Sequence, residues 1–374
     1  MKHYIKNTAI GLCAVLFSGC ISDDPMNPEA DILSFDVKED VGQIIPDLSA
    51  VPTQILVYYS KGDITHLTPI MTFTKGASVY PDPTEPQDFS RSVIYTVTSH
   101  NGKNTRVHKI TFTKVSLSGY GFDNWVSDSR KHFVTPIEYD GENEIPFWDT
   151  SNRGAAIYAT HQNSDEYPVH YTTQPGEVIK GGKAAVLETQ QGPGNILGQQ
   201  FIPIVAGSLF SGTFDPKDAM KDPLLCTKFG QPYTEIPQRM VGYYKYKAGE
   251  NGYTEPNGNI NLNRKDKCAI YAVFYKTDEN LMTLDGTNIL NHQNIVSIAM
   301  MPDDMLYQSK GDGMVSFDIP FEYQNGYTSE KIDFETNKYK LAVVFSSSFY
   351  GDHYEGSVGS RLVVDEVNII NENR

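Results

Sequence analysis

Short runs of β-branched and aromatic residues, closed off by Gly, Asn, Asp or Pro, recur roughly every ten residues along most of this chain. Ala269-Ile-Tyr-Ala-Val-Phe-Tyr275, Lys340-Leu-Ala-Val-Val-Phe345 and Leu362-Val-Val-Asp-Glu-Val-Asn-Ile369 are clear cases. Runs of this length suit strands and show no helical period. Ring and β-branched side chains pack well on a pleated surface, and 30 glycines and 21 prolines supply the turns between them. The chain is therefore expected to be all-β and nearly helix-free. At 374 residues it exceeds one typical core, so more than one domain is expected.

The runs change character once. Between Ile32 and about Val115 they are short: Ile32–Val37, Ile55–Tyr59, Ile70–Phe73, Val93–Thr98 and Val107–Phe112. The last two flank Ser99-His-Asn-Gly-Lys103, a hairpin signal because Asn-Gly tolerates the positive φ of a tight turn. This pattern predicts a small Ig-like sandwich over residues 31–115. It resembles the Ig-like modules that precede binding domains in bacterial surface lipoproteins, notably in Ala77-Ser-Val-Tyr-Pro81 and Asp88-Phe-Ser90, and such modules act as spacers. Its lone histidines, His66, His100 and His108, are expected at the surface. Ser116-Leu-Ser-Gly119 reads as a linker. From 119 to 374 the strands are longer and richer in aromatics, as in Gln200–Val205, Val241–Tyr246 and Ile295–Met300, and predict one large jelly roll of two sheets.

The first 19 residues carry lysines, an apolar stretch from Ala9 to Phe17, and then Ser18-Gly19-Cys20. The stretch is too short to span a bilayer. A small pair just before a cysteine is the lipobox pattern, so cleavage before Cys20 and acylation there are expected. Several acyl chains anchor far more firmly than one. Residues 20–30, with two prolines and no hydrophobic period, read as a solvated tether. The expected location is the outer membrane, lipid-anchored and extracytoplasmic, where outer-membrane proteins are conceivable partners.

A formal net charge of −15 repels phosphate backbones and argues against nucleic acid as a partner. Of four cysteines, Cys13 leaves with the leader and Cys20 is lipidated, which leaves Cys226 and Cys268. They form either a disulfide or two buried thiols.

A second resemblance is more specific. Phe147-Trp-Asp-Thr-Ser-Asn-Arg-Gly154, then Ala206-Gly-Ser-Leu-Phe-Ser-Gly212, then Gly230-Gln-Pro-Tyr233 through Pro237 to Gly242-Tyr-Tyr-Lys-Tyr246 occur in that order. Over roughly 119–372 this is similar to the putative carbohydrate metabolism domain family, with Ile236-Pro237 departing from an expected Arg-Pro. The resemblance implies a jelly roll like those of carbohydrate-binding modules, and it carries over no catalytic residue.

Sugar rings present C–H faces that stack on flat aromatics while polar neighbours bind the hydroxyls. The two tryptophans, Trp125 and Trp148, lie among Asn, Asp, Ser and Gly, and Trp148 has Asp149, Asn152 and Arg153 close by. The sequence thus points to Trp148 as stacking platform, Asn152 and Arg153 as orienting groups, and Tyr243 or Tyr246 as a second wall, binding polysaccharide or oligosaccharide. The alternative for Trp148 is a core anchor. Asp123 and Asp365 sit at the first and last strands of the predicted jelly roll and suggest one structural Ca²⁺, which takes hard oxygen ligands. No carboxylate pair has a recognisable glycosidase spacing, and no HExxH, CxxC, Gly-x-Ser-x-Gly, P-loop or dinucleotide pattern occurs. A glycan-binding surface protein is therefore the expectation. The rival readings are a hydrolase or lyase on the same fold, and an adhesin that binds protein.

Overall fold

The computed structural model describes residues 27–372 apart from 40, 42–44, 52–53, 60–61, 115–117, 141, 181, 197–199, 217–221 and 310. The leader, Cys20 and most of the tether lie outside the described residues, as do the first two linker positions. No described helix is long and apolar enough to cross a membrane.

Two separate cores organise the chain, one drawn from Ala30 to Phe112 and one from Tyr120 to Ile369. In the first, a five-stranded sheet runs Ile45–Val51, Gln54–Tyr59, Thr105–Lys114, Val93–Thr98, Ser78–Tyr80. Ile32–Val37 and Pro69–Phe73 form a second, two-stranded sheet. Phe35 packs edge to face on both Phe89 and Phe112, which meet each other tilted with centroids 4.6 Å apart. The Asn101-Gly102 turn joins two antiparallel neighbours as expected, with Gly102 at φ +66°. His66 and His100 are exposed, but His108 is buried, against expectation, because its strand turns it inward to reach the Ala30 carbonyl at 3.1 Å.

The second core lies between two antiparallel sheets. One contains Trp148–Thr150, Ser208–Phe214, Lys338–Ser346, Ala269–Thr277, Ile295–Met300 and Glu322–Tyr323 in that order, with two short strands attached. The other contains Val169–Thr172, Ala184–Glu188, Arg361–Asn371, Pro237–Lys247 and Val315–Pro320, with Gly119–Tyr120 added beside Arg361–Asn371. The fold is all-β, as the sequence predicts, with one short α-helix among the described residues, at Asn152–Tyr158.

The unbroken apolar run at Ala269–Tyr275 has a physical cause. Ile270, Ala272 and Phe274 face the second sheet, while Ala269, Tyr271, Val273 and Tyr275 face outward beneath Leu281, Leu284 and Ile289. A strand covered on both faces has no polar side to alternate with. On the outer face of the other sheet, Arg361 grips buried Glu177 through two bonds of 2.8 and 2.9 Å and reaches Glu188 at 3.0 Å.

Cys226 and Cys268 are buried thiols and not a disulfide. Cys268 sits in the core between the sheets, and burial pushes its thiol well up from the usual range.

Candidate functional site

Strand ends Lys247, Ala269, Met300, Ser346 and Arg361 are brought together by the registers of the two sheets. The loops that leave or enter them, 249–266, 301–309 and 347–360, therefore crowd one end of the sandwich. Loops at such ends carry function because a rigid scaffold positions them.

Asp266 fastens this end together. It is buried, and its Oδ2 accepts from the Ser348 and Ser360 hydroxyls at 2.6 Å each and from the Ser357 N–H at 2.8 Å, while Oδ1 accepts from the Lys267 N–H at 2.9 Å. Burial holds its carboxyl above the ordinary range despite these donors. Thr254 and Gly356 exchange two backbone bonds, of 2.7 and 3.1 Å, which tie the first loop to the third. Position 356 must be glycine, since a β-carbon there would stand 2.3 Å from the Ser348 hydroxyl.

On this frame, rings and cations alternate. The Arg264 guanidinium lies 3.8 Å from the Tyr253 ring centre and 5.3 Å from that of Tyr350. Tyr350 meets Phe349 edge to face at 5.0 Å, and the Lys267 ammonium lies 4.6 Å from Phe349 and 5.8 Å from Tyr307. Each cation is also held by a carboxylate: Arg264 by Glu355 at 2.6 Å, and Lys267 by Asp303 at 2.5 Å. The Tyr253 hydroxyl donates to the same Glu355 at 3.1 Å. Burial pulls Lys267 down, yet Asp303 more than offsets it and the lysine stays above its ordinary pKa. Tyr350 and Tyr307 keep 40% and 39% of their surface in solvent. Free ring surface beside fixed donors and acceptors is what stacking against a ligand with apolar patches and hydroxyls requires.

None of these residues stands out by spacing. The signal that could have found them is Ser346-Ser-Ser-Phe-Tyr-Gly-Asp-His-Tyr-Glu355, three serines and three rings packed into a loop directly after a long strand.

The residues singled out from sequence are not assembled into one surface. Trp148 is 3% exposed and is ringed by Tyr120, Phe122, Phe147 and Phe345, with its Nε1–H donating to Glu138 at 2.7 Å. It is a core anchor, because an indole can be buried once its one N–H has a partner. Asn152 is fully buried and staples two segments, donating to the Val134 and Val169 carbonyls and accepting from the Val169 N–H. Tyr246 is buried in the core beside Tyr244. Only Arg153 and Tyr243 retain access to solvent. Arg153 is paired with Asp149 at 2.9 Å, next to the eight-stranded sheet. Tyr243 lines a shallow depression of about 220 Å³, with Ser316, Glu366 and Asn368, on the outside of the other sheet. Trp125 is half-buried and donates to the Phe122 carbonyl at 2.6 Å.

Asp365 accepts the Ile179 N–H at 2.6 Å and the Glu366 N–H at 2.8 Å, and Asp123 accepts from Gly182 and Lys183. Asp365 thus fastens Ile179 to the last strand, and Asp123 fastens Gly182 and Lys183 to the segment that follows Gly119–Tyr120. Among the described residues no three His, Cys, Asp or Glu side chains are grouped as a metal site. Asp123 and Asp365 would be two of the six to eight oxygen ligands taken by the calcium expected from sequence, the others coming from backbone carbonyls, amides or water.

Burial raises Asp365 to about 6 and Glu138 to about 7, with Asp123 adding to both. An acid whose folded pKa exceeds its unfolded value stabilises below the unfolded pKa and loses that contribution as pH rises through the folded one. The window runs from 3.8 to about 6 for Asp365 and from 4.5 to about 7 for Glu138. The Asp365→Asn/Glu138→Gln double variant is therefore expected to gain melting temperature relative to wild type as pH goes from 4 to 7. Parallel melting curves across that range would refute the shifts.

Comparisons with known proteins follow the same division as the two cores. Residues 121–370 match the family described as putative carbohydrate metabolism domain, and residues 32–111 match the family described as SGBP, N-terminal. A crystal structure described as a putative glycoside hydrolase from Bacteroides thetaiotaomicron VPI-5482 is 34% identical, with a TM-score of 0.74, over 94% of this chain and 99% of that one. Another, described as a putative glycoside hydrolase from Bacteroides vulgatus ATCC 8482, is 30% identical with a TM-score of 0.59, over 70% of this chain and 100% of that one. No curated protein matches. With the match running through both sheets and the loops between them, the chain belongs to the putative carbohydrate metabolism domain family.

Proposed function

We propose that this protein binds glycan, without cleaving it, through the ring-and-cation rim at the end of its C-terminal sandwich. Lipid on Cys20 holds it at the outer membrane, and the Ig-like sandwich spaces the rim from the anchor as part of a polysaccharide-using surface system. The observation that carries the reading is the pairing of half-exposed Tyr350 and Tyr307 with anchored Arg264, Glu355, Lys267 and Asp303. Membership of a carbohydrate-related family supports it.

Hydrolysis is the second reading. It is favoured by the 34% identical relative described as a putative glycoside hydrolase, and by the raised acids Glu138 and Asp365 near Asp123. Proton donors near neutral pH are what such chemistry uses. One experiment separates the two. The full mature chain is run through affinity gels of a polysaccharide panel, and the same polysaccharides are assayed for new reducing ends. Binding without release is expected. Tyr350→Ala should weaken binding about ten- to a hundredfold, taking a stacked ring as roughly 1–3 kcal/mol by analogy with stacked bases. Cells carrying the wild type should retain fluorescent glycan, and cells with Cys20→Ala should not. Release of reducing ends that Glu138→Gln abolishes would establish the hydrolase instead.

A further inference from the structure

Resting on that reading, we infer that the rim selects neutral glycans and excludes uronic-acid and sulfated ones. Recognition of an anionic sugar needs a cation free to make a charge-assisted, often bidentate bond. The two cations that lie against the rings, Arg264 and Lys267, are already engaged, and exposed Lys265 is not one of them. The Arg264 Nη1 donates to Glu355 at 2.6 Å, and its guanidinium carbon lies over the Tyr253 ring. The Lys267 ammonium donates to Asp303 at 2.5 Å.

The surrounding charge points the same way. The three loops, 249–266 with adjoining Lys267, 301–309 and 347–360, carry Glu250, Glu255, Asp266, Asp303, Asp304, Asp352 and Glu355 against Arg264, Lys265 and Lys267. An acidic rim on an acidic protein lowers the local concentration of anions. A neutral sugar meets no such penalty. Its hydroxyls can donate to Glu355 and Asp303 and accept from the remaining N–H groups of Arg264 and Lys267, while its C–H face covers Tyr350 or Tyr307. In this arrangement the ion pairs act as preset double-ended hydrogen-bonding groups for uncharged hydroxyls.

The test uses the full mature chain in affinity gels of four probes: galactan and mannan as neutral polymers, polygalacturonate and chondroitin sulfate as anionic ones, at 50 and 500 mM NaCl. Retardation by a neutral polymer, changing less than twofold between the two salts, and no retardation by either anionic polymer is the expected result. The Glu355→Gln/Asp303→Asn double variant, checked by thermal melting, should then gain at least tenfold for an anionic polymer at 50 mM, because it uncovers both cations. Salt-sensitive retardation of the wild type by polygalacturonate or chondroitin sulfate, equal to or above that by the neutral polymers, would overturn the inference and leave the glycan-binding reading standing. Failure of a wider neutral and anionic panel to retard the protein at all would overturn that reading, and the inference with it.

Discussion

Trp148→Ala is expected to cost the C-terminal sandwich about 3–5 kcal/mol, the range for removing a buried Trp or Phe side chain. The indole touches four aromatic residues of the core, and its removal also takes the N–H partner from Glu138, a half-buried carboxyl at about 7. At roughly 2–4 °C per kcal/mol for a domain of this size, the melting temperature should fall by about 6–20 °C. Glycan affinity measured well below the new midpoint should stay within about twofold of wild type, because Trp148 does not touch the rim. An unchanged melting temperature with lost binding would make Trp148 a contact residue and displace the rim as the site.

Asp266→Ala should strike both properties together. Four donors, two hydroxyls and two N–H groups, would lose their acceptor inside the fold. Leaving a buried donor unsatisfied costs about 1–3 kcal/mol, so a total of several kcal/mol is expected even where the serines find new partners. The loops bearing Arg264 and Tyr350 would lose their common tie, and glycan binding should drop by at least a hundredfold at temperatures where the protein is still folded. Ser360→Ala removes one donor and keeps the carboxylate, and should fall between the two. If Asp266→Ala binds normally, the rim does not depend on this frame and the ligand sits elsewhere.

The strands were legible because their cause is local. Val93–Thr98, Ile295–Met300 and Ala269–Thr277 are recognisable as β-branched and aromatic runs bounded by turn residues, and the structure places them within two or three residues of where the pattern does. The site was not legible for the complementary reason. Whether Trp148 faces water depends on Glu138, ten positions upstream on another strand, and a residue-type argument does not see that pairing. Tyr253, Arg264, Tyr307 and Tyr350 span nearly a hundred positions and become neighbours only through strand register and through Asp266. Asp123 and Asp365 read as metal ligands by residue type, and type alone does not show that each also accepts backbone N–H bonds.

The Asp266 assembly grips hydroxyls and backbone of its loops, and none of the rings that face outward. Holding and touching are thus assigned to different side chains. A change at Tyr307 or Tyr350 alters the surface the rim presents without loosening what it stands on, so its expected signature is altered binding at an unchanged melting temperature. In such a protein, specificity behaves like a set of interchangeable bits in one chuck.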